Sequence, residues 1–306
     1  MSSIKQYLSI SLCAGLIGLS SLTQANPVAC FNTNMGNFCL ELFERQAPKT
    51  VANFIRYIDS SAYTNGIFHR SVPDFVIQGG GFKIVTSSGK STLTAVSTFD
   101  PIVNEFKISN TRGTVAMAKL GNDPDSATSQ WFVNLADNSA NLDQQNGGFT
   151  VFGRVLYNGM TVMDAIEKLP VNNLGGSLTA APTINFNGTE LLISNLVQIS
   201  SVSVENVAGI FNDNVLSFAV ETGSNTYFDV RLLLVSVDPN IVFELDPASI
   251  VPLQEKPAHP AVYSAQDGTL TIPSVMTGNA TVVNNVLMTL TNADSFRFTV
   301  SSMTQP

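Results

Sequence analysis

The sequence has few of the residues that most catalytic and metal sites need. Its 306 residues include three cysteines, two histidines and one tryptophan, and only 12% of them are charged. His69 and His259 lie far apart in the chain, and no set of spaced cysteines accompanies either of them, which argues against a zinc site. No glycine-rich loop carries a lysine at the spacing that phosphate binding requires. We therefore expect neither a metal nor a cofactor.

Clusters of basic residues and nucleophile motifs are missing as well. The net charge is −8, and Lys and Arg nowhere form a run. Nucleic-acid phosphates are bound by clustered basic side chains, so nucleic acid is not expected as a partner. No nucleophile-elbow sequence supports a Ser-His-Asp triad centred on His69. Metal, acyl-transfer and nucleotide chemistry are therefore all poorly supported.

The one long apolar run lies at the N-terminus. Lys5 precedes an apolar stretch from Leu8 to Leu22, and the small residues Thr23 and Ala25 follow it. This is the layout of a secretory signal peptide, and the apolar core is short for a membrane-spanning helix. We predict a signal peptide over residues 1–25, an exported protein that is periplasmic or secreted, and no membrane span in the mature chain. An uncleaved N-terminal anchor is the alternative.

Two cysteines remain after such a cleavage. Cys30 and Cys39 flank the sequence "CFNTNMGNFC", in which Asn34-Met35-Gly36 can form the tight turn of a hairpin. In an oxidising compartment a pair this close can form a disulfide. If the turn shifts the register, the thiols point to opposite faces and both stay free. The sequence leaves these alternatives open.

The composition divides the mature chain in two. Residues 26–200 mix charges nearly evenly, whereas residues 201–306 carry three basic and ten acidic residues. The second part consists of short strand-like runs separated by turn residues, which predicts a small, acidic β-sandwich of unknown role. Its carboxylates follow no Asp-x-Asp-x-Asp spacing, so calcium binding is not indicated.

The first part contains two helical patterns among strands. "APKTVANFIRYI" has a proline near its start and apolar residues on one face, and "TVMDAIEKLP" ends at a proline. Nearly everything between them reads as strand and loop. A hairpin, two helices and many strands fit a closed antiparallel β-barrel with a helix capping each end.

Several linked motifs resemble one family. They are "MGNFCLELFERQAPKTVANF", "FHRSVPDFVIQGG", "GTVAMAKLGNDPDSATSQWFVN", "NLDQQNGGFTVFGRV" and "GMTVMDAIEKLP", in this order. Together they resemble the cyclophilin family of peptidyl-prolyl cis-trans isomerases, and most closely its exported bacterial branch, over roughly residues 28–169. The resemblance implies a mainly β fold, an eight-stranded barrel capped by two helices, and a closing strand formed by "ELLISNLVQIS" (190–200).

The resemblance also implies a role for Arg70, which otherwise stands unexplained in a strand-like run. Rotation about an Xaa-Pro bond crosses about 18–20 kcal/mol because amide resonance must be broken. A fixed guanidinium can stabilise the lone pair that the twisted nitrogen regains. Phe75 and Gln78 complete the implied catalytic set, with Gln78 steadying the arginine. The other residues implied to bind substrate are Val76, Ala118, Lys119, Gln130, Phe132, Leu142 and Phe149.

The sequence departs from the best-known eukaryotic members at four of these positions or beside them. Asn141 stands where those members have a tryptophan, Phe149 where they have a histidine, Lys119 where they have an asparagine, and Val76 where they have a methionine. Because cyclosporin hydrogen-bonds that tryptophan in those members, we expect weak cyclosporin binding here.

The prediction from sequence is thus an isomerase of Xaa-Pro bonds. Its partners are proline-containing peptides and unfolded exported proteins, whose folding is slowed by these bonds. The alternative is a non-catalytic protein that binds proline peptides or mediates adhesion, with residues 201–306 as its targeting module.

Overall fold

Two β-rich units follow one another along the chain. The computed structural model describes residues 26–279 and 281–305. The predicted signal peptide, residues 1–25, lies outside the described residues. No helix in the described part of the chain has the length and apolar character needed to cross a membrane.

The first unit opens with a hairpin. Strands β1 (Val28–Thr33) and β2 (Gly36–Leu42) pair antiparallel around the two-residue turn Asn34-Met35. This register places Cys30 directly opposite Cys39, and opposed side chains of an antiparallel pair share one face. The two cysteines form a disulfide.

The hairpin is part of a closed barrel. The strands that follow it are β3 (Gly66–Ile67), β4 (Arg70–Val72), β5 (Val76–Gly79), β6 (Phe82–Ser87), β7 (Lys90–Ala95), β8 (Thr114–Met117), β9 (Trp131–Asn134), β10 (Val151–Val155), β11 (Val171–Asn172), β12 (Ala181–Pro182) and β13 (Gln198–Glu205). Pairing runs β4-β5-β9-β8-β10-β2-β1-β13-β3.

The barrel closes because β3 and β4 are two halves of one strand. The backbone N–H groups of Phe68 and His69, between the halves, donate to Val197 and Gln78 on the two sides. With β3 and β4 counted together the barrel has eight strands, which confirms the prediction. The β6–β7 hairpin extends outward from β3, and β11 and β12 pair separately.

Helices cap the barrel. They are α1 (Pro48–Asp59), the short α2 (Ser139–Leu142) and α3 (Gly159–Glu167). The buried face of α1 carries Phe54, whose ring packs edge-on against Trp131 in the barrel core. Helix α3 starts at Gly159, two residues earlier than the motif "TVMDAIEKLP", which begins at Thr161. Glycine permits this close start, because a Cβ at Gly159 would lie 3.0 Å from the Cβ of Phe38.

The predicted closing strand over residues 190–200 is shifted. Residues 190–197 are irregular, with a 3₁₀ turn at Ile193–Asn195, and β13 begins at Gln198. Asn195 holds the irregular segment, since its side chain accepts from the N–H of Leu192 and donates to the carbonyl of Ile184. Such local side-chain hydrogen bonds compete with strand pairing. Strand β13 pairs with β1 as far as Glu205, so the predicted boundary at residue 200 falls inside it.

The C-terminal unit is all β. Its strands are β14 (Gly209–Asn212), β15 (Val215–Glu221), β16 (Tyr227–Ser236), β17 (Val242–Leu245), β18 (Val251–Leu253), β19 (Ala261–Ser264), β20 (Thr269–Gly278), β21 (Thr281–Asn292) and β22 (Arg297–Thr304), with a 3₁₀ turn at Pro247–Ser249. They pair in the order β14-β15-β19-β20-β21-β22-β17-β16-β18. Strands β15 and β16 also pair, which closes the sheet around its own apolar core. The mainly β character predicted for this unit is confirmed.

The two units share a small apolar interface. Val28, Cys30, Cys39 and Leu156 of the barrel form one buried cluster with three residues of the second unit, Val207, Ile210 and Met276. Hydrogen bonds also join the two units. Asn212 accepts from the N–H of Tyr157, and Asn279 donates to the carbonyl of Asn37. An ion pair between Arg45 and Asp229 also joins the units.

Candidate active site

One row of side chains crosses the outside of the barrel. Arg70 of β4 lies opposite Gln78 of β5, and Gln78 lies opposite Phe132 of β9. Beyond Phe132 the row continues with Ala116 of β8 and Val151 of β10. Because successive side chains of a strand alternate between faces, their sequence neighbours point into the barrel core. The row itself faces outward, and its end at Arg70 and Gln78 is partly exposed.

An apolar cluster, which we call the pocket, surrounds the middle of this row. Its buried members are Val76, Ala116, Phe132, Leu142 and Val151. Its half-buried members are Phe43, Phe75, Ile108, Ala118 and Phe149. The rings of Phe132 and Phe149 meet at 67° with centroids 5.9 Å apart. Every apolar residue that the resemblance implied belongs to this cluster, whereas Phe43, Ile108, Ala116 and Val151 were not anticipated.

Arg70 borders the pocket as a cation without a partner. The turn after β4 fixes its position, since the N–H of Phe75 donates to the carbonyl of Val72 over 3.1 Å. Asp74 in this turn has a φ of 55°, a conformation that aspartate tolerates better than most residues. Arg70 is half-buried, and this burial lowers its pKa. Among the described residues, no hydrogen bond or ion pair engages the Arg70 guanidinium, so the expected contact by which Gln78 steadies the arginine is not present.

The side chain of Gln78 is held in place by Gln130. Its Nε2 donates to Oε1 of Gln130 over 2.8 Å, and the side chains of Gln130 and His69 both lie beside Gly81. His69 is 4% exposed and packs edge-on against Phe82, with ring centroids 5.2 Å apart. Burial lowers the pKa of His69 to about 4. His69 is therefore a neutral structural residue at pH 7. Gly81 leaves room for these side chains, because a Cβ there would lie 3.0 Å from the His69 ring.

Lys119 uses its side chain within the protein. Its Nζ donates to the carbonyl oxygens of Asn146 and Gly148, both at 2.7 Å, and lies 4.9 Å from the centre of the Phe149 ring. Burial lowers the pKa of Lys119, and the nearby carboxylates of Asp123 and Asp125 oppose that shift. The amino group thus fixes the loop that carries Phe149.

A buried network of asparagines supports the pocket and was not anticipated from sequence. Asn138 donates to the carbonyl of Phe75 over 2.9 Å and to Oδ1 of Asn134 over 2.8 Å. Asn134 donates to Oδ1 of Asn110 over 3.2 Å, and Asn110 donates to the carbonyl of Phe149 over 3.0 Å. Three linked amides therefore connect the backbone positions of two pocket rings. Buried amides need such partners, but the sequence does not reveal which asparagines are buried.

The remaining predicted residues lie elsewhere. Cys30 and Cys39 belong to the cluster between the two units and do not reach the pocket. Within residues 26–279 and 281–305, no three His, Cys, Asp or Glu side chains gather as a metal site would require.

Comparisons with known proteins agree with this architecture. The sequence model described as "Cyclophilin type peptidyl-prolyl cis-trans isomerase/CLD" matches residues 28–187. A peptidyl-prolyl cis-trans isomerase of Acinetobacter baylyi is 41% identical over 169 residues, which cover 54% of this chain and 85% of the relative. Peptidyl-prolyl cis-trans isomerase A of Dickeya dadantii is 38% identical, with coverages of 53% and 86%.

A solved structure also matches. The crystal structure of a Cryptosporidium parvum cyclophilin type peptidyl-prolyl cis-trans isomerase is 26% identical, with a TM-score of 0.42, and the match covers 58% of this chain and 98% of that one. The family match spans more than half of the chain, and the bacterial relatives are covered over most of their length. The chain therefore belongs to the cyclophilin family of peptidyl-prolyl cis-trans isomerases.

Proposed function

We propose that this protein accelerates Xaa-Pro rotation in exported proteins and that Arg70 stabilises the twisted amide. One observation carries the mechanism. A half-buried guanidinium, which has no hydrogen-bond or ion-pair partner among the described residues, stands in the same cross-strand row as a pocket of apolar side chains. A cation in partly apolar surroundings is costly unless a ligand uses it.

The chemistry follows from amide resonance. In the planar Xaa-Pro amide the nitrogen lone pair is delocalised, and rotation must break this resonance against about 18–20 kcal/mol. In the twisted state the lone pair is localised on the prolyl nitrogen, where a guanidinium N–H can donate to it. The guanidinium interacts more strongly with the twisted state than with the planar one, which lowers the barrier. Arg70 suits this task because guanidinium keeps its charge at all physiological pH values.

The other residues bind and orient the substrate. In our proposal the proline ring enters the apolar pocket, and Gln78 hydrogen-bonds the substrate backbone while its own amide is fixed by Gln130. Backbone groups at Ala118 and Lys119 face the peptide chain, and Gln130 lines the same groove. The residues assigned to the proline pocket are Phe75, Val76, Phe132, Leu142 and Phe149.

Export rests on two independent features. Residues 1–25 have the composition of a secretory signal peptide. Cys30 and Cys39 form a disulfide in the first hairpin, and disulfides persist in oxidising compartments. Both support a protein that acts in the periplasm or outside the cell.

The decisive experiment compares Arg70→Ala with the unmodified protein in NMR exchange measurements on a short Ala-Pro peptide. We expect kcat/KM to fall by about 10²–10³, as for other preorganised electrostatic groups. Arg56→Ala is the matched control, because Arg56 is exposed on α1 and lies against Phe99, outside the pocket. It should leave the rate unchanged.

Two results would contradict the proposal in different ways. If Arg70→Ala keeps full activity, the barrier is lowered by another group. If the folded, unmodified protein is no faster than buffer, the pocket only binds proline segments, and the alternative of a binding or adhesion protein applies.

A further inference from the structure

We infer that the cleft between the two units binds the stretch of client polypeptide that flanks the isomerised proline. This inference rests on the proposed function and adds to it a second contact region, supplied partly by the C-terminal unit.

The cleft has a volume of about 390 Å³, within the range of ligand-binding clefts. Its barrel wall includes Phe43 and Arg45, which follow the end of β2. Its other wall is the outward face of β15 and β16, where Ser217 lies opposite Arg231 and Ala219 opposite Asp229. A ligand in this cleft would contact both units at once.

The cleft is continuous with the proline pocket. Phe43 and Ile108 pack against the apolar cluster of the pocket, and the same two side chains line the cleft. The N–H of Phe43 donates to the carbonyl of Phe152, next to Val151, so the segment that follows β2 lies beside the end of the cross-strand row. The row thus leads from Arg70 through the pocket to the edge of the cleft.

The distance suits an extended peptide. Three strand spacings separate Phe132 from Phe43, which amounts to roughly 14 Å at the usual interstrand distance. An extended chain covers this length with about four residues. A client whose proline sits at Phe132 therefore reaches the cleft with residues four or more positions away. A tetrapeptide cannot reach it.

The walls match a polypeptide main chain better than a strongly charged ligand. Three basic residues (Arg45, Arg154, Arg231) are balanced by three acidic ones (Glu41, Asp213, Asp229). Two ion pairs, Arg45 with Asp229 and Arg154 with Glu41, already neutralise four of these charges.

One acceptor in the cleft lacks a donor. Oε1 of Gln46 is buried and has no hydrogen-bond partner among the described residues. A buried acceptor without a donor is unfavourable. Because Gln46 also lines the cleft, a turn of its side chain would let this oxygen accept from the N–H groups of an extended peptide.

The test compares two substrates in the same NMR exchange assay. One is a tetrapeptide with Ala-Pro at its centre. The other contains the same Ala-Pro in a peptide of about 20 Ala, Ser, Thr and Gln residues, long enough to reach the cleft on either side. We expect the unmodified protein to show a KM about tenfold lower for the long peptide.

Ser217→Trp fills the cleft from the β15 wall and leaves the pocket untouched. It should abolish the advantage of the long peptide while the tetrapeptide rate stays unchanged. Ser302→Trp is the matched control, because Ser302 is exposed on β22 and does not line the cleft. It should behave like the unmodified protein.

The outcomes separate this inference from the proposed function. If neither peptide is isomerised, the proposed function fails. If both are isomerised equally well, or if Ser217→Trp keeps the advantage of the long peptide, the cleft inference is wrong and the proposed function stands.

A second measurement needs no substitution. The long peptide can carry a photo-crosslinking residue about eight positions from its proline, on one side or the other. We expect crosslinks to β15 or β16 with one of the two probes. Crosslinks confined to the barrel with both probes would overturn the inference.

Discussion

At the scale of single residues, His69 makes stability depend on pH. It is buried with no hydrogen-bond partner for Nδ1 among the described residues, and its pKa is lowered from 6.5 to about 4. The unfolded chain therefore takes up a proton between pH 6.5 and 4 that the folded chain does not. Stability is fully present above pH 6.5 and falls as the pH drops through this window, by up to about 3 kcal/mol.

Urea unfolding at pH 7.5 and pH 4.5 checks this prediction. His69→Phe removes the titrating group and should reduce the loss of stability at pH 4.5, although carboxylates contribute a common background. His259→Gln is the control, since His259 is exposed. Equal pH dependence in the His69→Phe variant and the unmodified protein would rule out His69 as the cause.

Asn141 is the residue from which we expect weak cyclosporin binding. It is exposed on α2, directly before the pocket residue Leu142. Its amide replaces the indole that the family resemblance associates with cyclosporin, so we expect calorimetry to give a Kd weaker than about 1 μM. Asn141→Trp should bind at least about tenfold more tightly, because it restores an indole N–H and a large apolar surface. Gln144→Trp, two residues after the end of α2, should not bind cyclosporin more tightly than the unmodified protein. A sub-micromolar Kd for the unmodified protein would contradict the prediction.

Some residues of the candidate site could be identified from the sequence and others could not. Arg70, Gln78 and Phe132 were identified because their motifs resemble a family, and the strand register then placed them in one row. The support from Asn134 and Asn138 was missed. An asparagine in a strand and one in a loop look alike in sequence, and only the fold decides which is buried.

At the scale of elements, the β1–β2 hairpin carries the disulfide. Cys30 and Cys39 are nine positions apart, and a loop of this size restricts the unfolded chain by about 2–3 kcal/mol. Replacing both with alanine should lower the free energy of unfolding by about this amount. Reductant should destabilise the unmodified protein similarly and leave the double variant unaffected. Thermal unfolding that is insensitive to reductant in the unmodified protein would show that the bond does not stabilise it.

The sequence predicts which segments form strands and helices, but not the register in which the strands pair. Strand and helix content followed from apolar patterns, and the short strands of the C-terminal unit were predicted from strand-like runs separated by turn residues. The pairing of Cys30 with Cys39 could not be decided, because a shift of one residue reverses the face of every side chain. The late start of β13 was also missed, since its cause is the set of side-chain contacts made by Asn195.

At the scale of the whole molecule, the interface between the two units contributes to stability. Met276 of the second unit is fully buried against barrel residues such as Val28. Met276→Ala should lower the free energy of unfolding by about 2–5 kcal/mol through lost burial and a cavity. Met303→Ala, at an exposed site on β22, should have little effect. Denaturant unfolding measures both, and equal stabilities would show that the interface is unimportant.

Pairing between distant parts of the chain also sets an order of events during synthesis. Strand β1 has β2 on one side and β13 on the other, and Asn32 contacts Ser201 across 169 positions. A chain that emerges N-terminus first therefore keeps one edge of β1 uncovered until residue 205 has appeared. Uncovered strand edges invite pairing with other chains, and contacts at such separation form slowly. The barrel of this isomerase can therefore close only after all of the first 205 residues have been synthesised.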